Sequence, residues 1–360
     1  MEINERIELA ETLPADFYKN DTIFEELKES VFIKSWQWIG DISLLPFKTN
    51  VYPFTLLEGY LNEPLLLTKD TNDNLNCLLN VCTHRANLVI DDPGKYRSLT
   101  CSYHGRSFGL DGKFSRMPGF EKAENFPRPC DDLKKFELNR FGPHLFVGLE
   151  PNFDIQKVFD IMEERIGFLP MDQFKPDATR NKDYLVNCHW ALYCDNYLEG
   201  FHIPFVHEDL NQVLDFGTYE NLVYDHVTLQ VGYAKDGEEH FDLPAGHIDD
   251  GKQVAAYYYW IFPNMMFNFY PWGLSLNIVK PISKNRTKVS FITYVYDETK
   301  IEHGAGAVLD KVEREDEFVV ESVQKGLQSR YYHSGRFSPT MEQGVYYFHK
   351  LLANSLKANK

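Results

Sequence analysis

The sequence predicts an α+β protein of two domains, the first of which is a small all-β domain. Three observations predict this architecture: a length of 360 residues, short apolar runs between turn signals up to about residue 150, and longer apolar runs followed by helical patterns beyond it. A chain of this length exceeds what one hydrophobic core usually organises, so two domains are expected.

The all-β domain is predicted over residues 38–150. Residues 1–37 before it are expected to be helical, because their apolar side chains recur at helical spacing. The following apolar runs are short, and they cover residues 51–57, 60–67, 75–81, 98–103 and 144–149. Asp111 and Gly112 separate residues 107–110 from 113–114, which is typical of a tight β-hairpin.

The second domain is predicted to combine residues 1–37 with residues 151–360, since Pro151 and a polar stretch mark a boundary. Residues 184–207 have the pattern of a strand followed by a helix. Longer runs predict an antiparallel sheet; they cover residues 222–232, 253–262, 265–269, 274–279 and 287–296. Helices are expected over 305–329 and 340–357, packed on that sheet.

The acidic composition argues against one class of function. The net charge is −16 and the isoelectric point is about 5.2, which argues against binding to nucleic acid, because that function requires a basic surface. The acidity is compatible with a cationic substrate, although a solvated acidic surface also explains it.

The N-terminus is acidic and lacks the basic start and apolar segment of a secretory signal, and no apolar run reaches the roughly 18 residues of a membrane helix. A cytoplasmic protein is therefore expected. Six cysteines in such a chain do not resemble a disulfide framework, so metal binding is the more informative question.

Two cysteine–histidine pairs stand close together in the all-β domain. Cys82 and His84 form a C-x-H pair, and Cys101 and His104 form a C-x-x-H pair after a gap of sixteen residues. A Rieske [2Fe–2S] cluster needs two thiolates on one iron and two imidazoles on the other, so each loop gives one ligand to each iron. The pattern predicts such a cluster.

A structural zinc ion is the alternative for these four side chains. Zinc ribbons favour C-x-x-C pairs, and zinc fingers group cysteine with cysteine and histidine with histidine. The alternating order of cysteine and histidine in this chain is unusual for zinc and favours the cluster.

A second metal site is predicted from His202 and His207. Five residues apart on an unbroken helix, these two rings would splay, but Pro204 between them disrupts the helix and lets both reach one centre. Two histidines and one carboxylate are the ligands of non-haem iron oxygenases. Two satisfied core histidines are the alternative.

The third ligand is predicted on the helix over 305–329, which carries five acids between residues 313 and 321. Asp316 falls on its apolar stripe, four residues from both Val312 and Val320. The acids that fall beside or away from that stripe are Glu313, Glu317 and Glu321. A carboxylate on a buried face is costly unless it is paired or binds metal, which singles out Asp316. A buried aspartate that caps or pairs with arginine is the alternative.

These motifs resemble the Rieske ferredoxin family and, within it, the ring-hydroxylating and choline-monooxygenase-like oxygenases. Residues 195–207 are similar to the oxygenase pattern D/E-N-Y-x-E/D-x-Y/F-H-x4-H, and the helix near Asp316 is similar to E-D-x5-E-x2-Q-x-G-L. The resemblance covers nearly the whole chain. Two departures are Arg106, where many members have Trp, and Ala86, where many have Gly.

The resemblance implies a Rieske cluster domain and a catalytic domain of helix-grip, START-like fold. It implies that His202, His207 and Asp316 bind a mononuclear Fe(II), and that Glu199 is a bridging acid between His202 and His104 of the partner subunit. Asn196 joins Glu199 in the catalytic group. The disulfide of respiratory Rieske proteins is not expected, since its positions hold Asn87 and Tyr103.

The family further implies the partners. Electrons would come from a separate reductase or ferredoxin, because the chain has no flavin or nicotinamide fingerprint, and dioxygen and a small molecule would be the substrates. The subunits would form a head-to-tail homotrimer or a multiple of three.

A quaternary or methylated amine resembling choline, betaine or carnitine is the preferred substrate, because the C-terminal part of the chain resembles choline monooxygenase and its relatives. Aromatic rings near the site could bind a trimethylammonium group by cation–π attraction, and these rings are Tyr193, Tyr197, Phe201, Phe205, Trp260, Phe262, Phe267, Phe269 and Trp272. Ordinary packing in the core of the sheet is the alternative for any single ring. Two alternatives are hydroxylation of an aromatic ring, and a Rieske electron-transfer protein without oxygenase activity.

Overall fold

The computed structural model describes residues 1–214, 219–307 and 309–358. It divides into two compact units, one made of Met1–Phe32 with Phe153–Lys360, and a smaller one made of Ile33–Asn152. None of the helices among the described residues is long and apolar enough to span a membrane.

The smaller unit is all-β, as the sequence predicts. Its strands are β1 (Trp36–Asp41), β2 (Asn50–Leu56), β3 (Glu63–Lys69), β4 (Leu75–Leu79), β5 (Gly94–Lys95), β6 (Leu99–Thr100), β7 (Ser107–Phe108), β8 (Phe114–Arg116), β9 (Lys135–Phe141) and β10 (His144–Gly148). Seven of them form one sheet in the order β1-β10-β9-β4-β3-β2-β5, and β6-β7-β8 form a small second sheet.

The core of the smaller unit lies beneath two loops, the one between β4 and β5 and the one between β6 and β7. Its buried aliphatic and aromatic side chains include Leu66, Leu78 and Phe108, and the same cluster contains the thiols of Cys82 and Cys101. Both loops are therefore fixed at their base by burial of apolar surface, which holds the tips in a defined position.

The larger unit contains an eight-stranded antiparallel sheet. Its strands are β11 (Lys175–Pro176), β12 (Lys182–Val186), β13 (Glu220–Tyr224), β14 (Val227–Tyr233), β15 (Val254–Ile261), β16 (Met265–Tyr270), β17 (Gly273–Ser283) and β18 (Arg286–Val295). The order is β11-β18-β17-β16-β15-β14-β13, and β12 also pairs with β18. Every residue of β14 and β16 is buried, so these strands are covered on both faces.

The helices of the larger unit are α1 (Ala15–Lys19), α2 (Asp21–Leu27), α3 (Ile155–Ile166), α4 (Trp190–Tyr197), α5 (Ile203–Val206), α6 (Glu208–Val213), α7 (Leu309–Gly326) and α8 (Gln343–Ala358). Helix α4 packs against α7, β17 and α8. The predicted fold class, an all-β domain followed by an antiparallel sheet with packed helices, is confirmed.

The structure corrects two local expectations and adds one helix. Residues 1–37 do not form one continuous helix: they contain a 3-10 turn over Ile7–Leu9, the short helices α1 and α2, a π-helical turn over Lys28–Phe32 and the start of β1 at Trp36. The run over 222–232 is two strands, because Asp225 and a left-handed His226 (φ 61°) form a turn within it. Helix α3 was not predicted; its N-terminus is capped by the side chain of Asp154, which accepts from the N–H of Gln156.

Candidate functional site

The two cysteine–histidine loops of the smaller unit share one backbone geometry. The N–H of Cys82 donates to the carbonyl of Asn87 at 2.8 Å, and the N–H of Ala86 donates to the carbonyl of Cys82 at 3.0 Å. The second loop repeats both bonds around Cys101, also at 2.8 and 3.0 Å. The residue four positions after each cysteine is left-handed, with φ of 55° at Ala86 and 73° at Gly105. Glycine adopts that conformation freely, whereas alanine is strained by about 1 kcal/mol.

These loops present two kinds of ligand at two depths. The thiols of Cys82 and Cys101 are buried, and the imidazoles of His84 and His104 are half-buried with their ring centroids 4.8 Å apart. A Rieske cluster has a thiolate-bound inner iron and an imidazole-bound outer iron, so this donor set fits it. The alternative of a closed zinc site does not account for two ligand pairs at different depths.

The surroundings of Cys101 favour the thiolate that an iron ligand must supply. Burial by itself would raise the pKa of this thiol, but the backbone N–H groups of Tyr103 and His104 and a hydrogen bond with the Cys82 thiol lower it overall, whereas burial raises the pKa of Cys82. The side-chain amide of Asn87 also lies 3.6 Å from the Cys101 Sγ. Asn87 stands where respiratory Rieske proteins have a disulfide cysteine, and here it contacts the ligand loop directly.

Arg106, which replaces the usual Trp, is an internal side chain. It is 2% exposed, and its guanidinium donates to the Asp131 carboxylate at 2.8 Å and to the Asp131 carbonyl at 3.1 Å. The guanidinium also lies 5.0 to 5.7 Å from the ring centroids of Phe108, Phe114 and Phe126. Arg106 lies two residues after His104, so its buried side chain supports the ligand loop from the interior of the unit. It is not part of an exposed docking surface.

The second candidate centre lies in the larger unit. His202, His207 and Asp316 each offer one ligand atom, and these atoms all lie within 4.8 Å of one another. The Asp316 Oδ1 atom is 3.0 Å from the His207 Nε2 and 3.6 Å from the His202 Nε2. Two imidazoles and one carboxylate that converge in this way fit a mononuclear iron with open positions.

The short helix α5 separates the two histidines; Pro204 lies in its first turn and does not break it, so the predicted disruption at Pro204 is wrong. Helix α4 ends at Tyr197, and the four-residue α5 carries Pro204 in its first turn, with His202 immediately before the helix and His207 immediately after it. The His207 backbone departs from helical geometry (φ −111°, ψ 79°), which turns its ring toward the same centre as His202. The ring centroids of the two histidines are 5.1 Å apart.

Each histidine is oriented by an acid on its other ring nitrogen. The His202 Nδ1 lies 2.7 Å from Glu199 Oε1, and the His202 backbone N–H also donates to Glu199. The His207 Nδ1 lies 2.7 Å from Glu315 Oε2. An imidazole held by a carboxylate at Nδ1 presents Nε2 to a metal, an arrangement common in metal sites. Glu315 was missed by the sequence reasoning, although its place beside Asp316 was a usable signal.

The acids around His207 also change its protonation equilibrium. Burial lowers the pKa of His207, but its hydrogen bonds to Asp316 and Glu315 and the charges of these acids raise it overall. Asp316 itself accepts a hydrogen bond of 2.6 Å from the side-chain amide of Asn196. Asn196 thus contacts the predicted third ligand and orients its carboxylate.

A cavity of about 110 Å³ adjoins the three ligand candidates. Its walls come from α4, α5, α7 and the sheet, and they include the aromatic side chains Tyr193, Tyr197, Tyr219, Tyr258, Tyr270 and Phe291. Only Tyr193 and Tyr197 among the nine rings proposed from sequence line this cavity. Phe201 and Phe205 are 42% and 82% exposed, and the remaining five are buried elsewhere in the fold.

Comparison with known proteins gives the class of this chain. Residues 35–127 match the Rieske [2Fe-2S] domain, and residues 171–358 match the catalytic domain of the ring hydroxylating alpha subunit. Fold, ligand geometry and matches together define an oxidoreductase of the Rieske non-haem iron type. The chain belongs to the family of ring-hydroxylating oxygenase alpha subunits.

Relatives match over almost the whole chain. A chloroplastic choline monooxygenase from Beta vulgaris is 28% identical over 96% of this chain and 77% of the relative. The carnitine monooxygenase oxygenase subunit of Escherichia coli (strain K12) is also 28% identical, over 96% of this chain and 94% of that protein. The solved structure of a quaternary ammonium Rieske monooxygenase, described with carnitine oxidation and inter-subunit electron transfer, is 23% identical with a TM-score of 0.77, covering 97% and 96% of the two chains.

These findings confirm the family resemblance, the fold class and both cofactors inferred from sequence. The enzyme is a Rieske-type oxygenase that depends on a [2Fe–2S] cluster and a mononuclear iron. When bound, the cluster provides electron transfer and the mononuclear iron provides dioxygen activation. The structure brings the predicted ligands together at each centre, whereas their individual roles stay predictions.

Proposed function

We propose that this chain is the terminal oxygenase component of a system that hydroxylates or demethylates a small quaternary or methylated amine. Cys82, His84, Cys101 and His104 hold the cluster in this proposal. His202, His207 and Asp316 hold the mononuclear iron, and Asn196 and Glu199 complete the catalytic group.

One observation carries the choice of substrate: the cavity beside the three ligand candidates is lined by tyrosine rings and carboxylic acids. Five tyrosines contribute to its walls, together with the acids Glu199, Glu313 and Asp316. Aromatic faces attract a quaternary ammonium group through the ring quadrupole, and acids favour its positive charge. The choline and carnitine relatives support the same class of substrate.

The residues of this chain bind and orient the reactants. Asn196 and Glu315 fix the carboxylate and imidazole that face the cavity, so the ligand atoms are placed before substrate enters. The aromatic side chains line a cavity of about 110 Å³, which suits a substrate of few heavy atoms.

Glu199 is proposed to link the two centres of neighbouring subunits. It already holds the Nδ1 of His202, and its carboxylate lines both the substrate cavity and a second pocket bounded by Tyr18, His349 and Glu342. Electrons are proposed to come from a separate reductase or ferredoxin, in an assembly of three subunits or a multiple of three. A cytoplasmic location completes the proposal.

Aromatic-ring hydroxylation is the second candidate, because the matching family takes its description from that reaction. The acids in the cavity wall favour a cation over a neutral ring or a benzoate. A Rieske electron-transfer protein without oxygenase activity would not need the second group of ligand candidates, His202, His207 and Asp316.

A substrate panel tests the proposal. The iron-loaded protein, supplied with a reductase or with chemically delivered electrons, is incubated with choline, glycine betaine, carnitine, trimethylamine and benzoate under labelled dioxygen. We expect an oxygenated or demethylated product from at least one of the amines. Product from benzoate alone would assign the enzyme to ring hydroxylation and overturn the proposal.

A further inference from the structure

Glu313 is a buried acid in the wall of the substrate cavity. It lies one helical turn before Asp316 on α7, and only 2% of its surface is exposed. The sequence placed it off the apolar stripe of that helix, so its burial was not expected. It lines the cavity together with the ligand candidates.

The two oxygens of Glu313 differ in their contacts. The hydroxyl of Tyr193 donates to Oε2, which orients the carboxyl group. Oε1 is buried and has no hydrogen-bond partner among the described residues. A buried polar atom without a partner is costly, and natural proteins leave few of them. Burial raises the pKa of Glu313 well above its usual range, because the buried carboxylate loses its hydration.

The neighbouring cation does not neutralise this acid. Arg314 follows Glu313 directly, but its guanidinium binds Glu317 at 3.1 Å and lies 5.0 Å from the Tyr184 ring, with 63% of its side chain exposed. The counter-charge for Glu313 is therefore not found among its contacts in the described part of the chain. A ligand in the cavity can supply it.

The charges of the cavity wall point to the kind of ligand. The wall contains three acids and, among the described residues that line it, neither lysine nor arginine. Glu199 is engaged by His202, and Asp316 is engaged by His207 and Asn196. Glu313 is the acid that remains for a substrate.

We propose that the Glu313 carboxylate, oriented by Tyr193, is the counter-charge of the substrate's ammonium group and makes the site selective for cations that carry no carboxylate. This inference rests on the proposed function and names its specificity-determining residue. A quaternary nitrogen has no N–H to donate, so it pairs through charge and through aromatic faces, and the cavity offers both. A substrate carboxylate would instead meet Glu199 and Glu313, with neither lysine nor arginine among the described wall residues to pair with it.

The experiment compares binding of choline with binding of 3,3-dimethylbutan-1-ol, in which carbon replaces the charged nitrogen at nearly equal shape. Calorimetry on the anaerobic iron-loaded protein measures the dissociation constant of each for wild type and Glu313→Gln. Glu317→Gln is the matched control, since Glu317 lies on the same helix and pairs with Arg314. Iron content and the visible spectrum of the cluster verify each variant.

We expect wild type and Glu317→Gln to prefer choline over the neutral analogue. Glu313→Gln should weaken choline binding by about 30-fold or more, because a buried charge pair loses one partner, and should change binding of the neutral analogue by less than about 3-fold. Glycine betaine should bind wild type more weakly than choline, and this difference should narrow in the variant.

An unchanged preference for choline in Glu313→Gln would make Glu313 a structural acid and overturn the inference while leaving the proposed function intact. If the variant fails to fold, wild type alone decides: equal affinity for choline and its neutral analogue would overturn the inference. Oxidation of benzoate without any amine product would instead contradict the proposed function itself.

Discussion

The Oδ1 atom of Asp316 lies 3.0 Å from the Nε2 atom of His207, although 109 positions separate the two residues in the sequence. The opposite nitrogen of the same ring is held by Glu315 at 2.7 Å. Two adjacent acids of α7 therefore hold the His207 ring. Asp316 contacts the Nε2 that faces the other ligand atoms, and Glu315 contacts the Nδ1 on the opposite side of the ring. Such an arrangement orients an imidazole toward a metal.

Replacing Asp316 with alanine should remove the mononuclear iron and abolish turnover. The cluster in the other unit should keep its iron and colour, because none of its ligand candidates belongs to α7. Metal analysis of the purified variant measures the loss as about one iron per chain. Glu317→Ala is the control and should retain all the iron. Full activity in Asp316→Ala together with loss in the control would show that the wrong carboxylate was chosen.

Glu315 should act through His207, without binding the metal itself. In Glu315→Gln the amide cannot hold the Nδ1 of His207 as a carboxylate does, so we expect affinity for the mononuclear iron to fall about 10- to 100-fold. Competition with a chelator measures that affinity. Glu321→Gln, which alters an acid on the same helix that binds Asn187, should leave it unchanged. If Glu315→Gln binds the mononuclear iron as tightly as Glu321→Gln does, Glu315 has no role in positioning His207.

At saturating Fe(II), Glu199→Gln should keep both metals bound and the oligomer intact, yet slow turnover about 10- to 100-fold. The change keeps the size of the side chain and removes the charge that holds the His202 ring. The block should appear as a reduced cluster that does not reoxidise when substrate and dioxygen are added. Glu199→Asp should retain part of the activity. Normal single-turnover reoxidation in the Gln variant would exclude the bridging role.

Arg106 should stabilise the smaller unit. Its removal in Arg106→Ala leaves Asp131 buried without its main counter-charge, which should lower the free energy of unfolding by about 3 kcal/mol. Arg128 is the matched control, since it contacts the same carboxylate at 3.6 Å but is 63% exposed, and its loss should cost below about 1 kcal/mol. Urea unfolding followed by cluster absorbance measures both. Equal losses would show that burial of the Arg106 pair contributes nothing.

Two buried histidines should make both units less stable in acid. Burial lowers the pKa of His144 to about 4 and that of His189 to about 3. Because both values lie below the roughly 6.5 of an unfolded chain, stability is complete above pH 6.5 and is lost as the pH falls toward 4 and 3, respectively. Each histidine contributes up to about 1.4 kcal/mol per pH unit within its window.

Unfolding measured between pH 4 and 7 tests this dependence. His189→Gln should flatten the pH profile of the larger unit, because the buried ring no longer resists protonation. The exposed His303 provides the control, and its replacement with Gln should leave the profile as in wild type. A profile that stays equally steep in His189→Gln would assign the acid sensitivity to other groups.

The sequence predicts a cluster site directly, because the four ligand candidates lie on two short segments. A C-x-H and a C-x-x-H pair converge within single turns, so spacing alone predicts their geometry. The backbone geometry that supports them was not predictable in the same way. The left-handed conformation of Ala86 and the burial of Arg106 depend on how these loops pack on the core.

The cavity wall could be predicted only in part, because it depends on how α7 rotates against the sheet. Val323, placed on the apolar stripe by its spacing, is 44% exposed, whereas Glu313, placed off that stripe, is 2% exposed. The strands of the sheet also show no clear alternation of apolar and polar residues, because β14 and β16 are buried on both faces. The contributions of Tyr258 and Tyr270 therefore became visible only in the fold.

The central claim is that one chain carries two separate iron centres. Iron and acid-labile sulfide, measured on the purified protein after anaerobic reconstitution, test it most directly. The account predicts about three irons and about two sulfides per chain, together with a Rieske-type paramagnetic signal after reduction. A colourless protein that binds one zinc and no sulfide, or one that saturates at two irons with full activity, would contradict it.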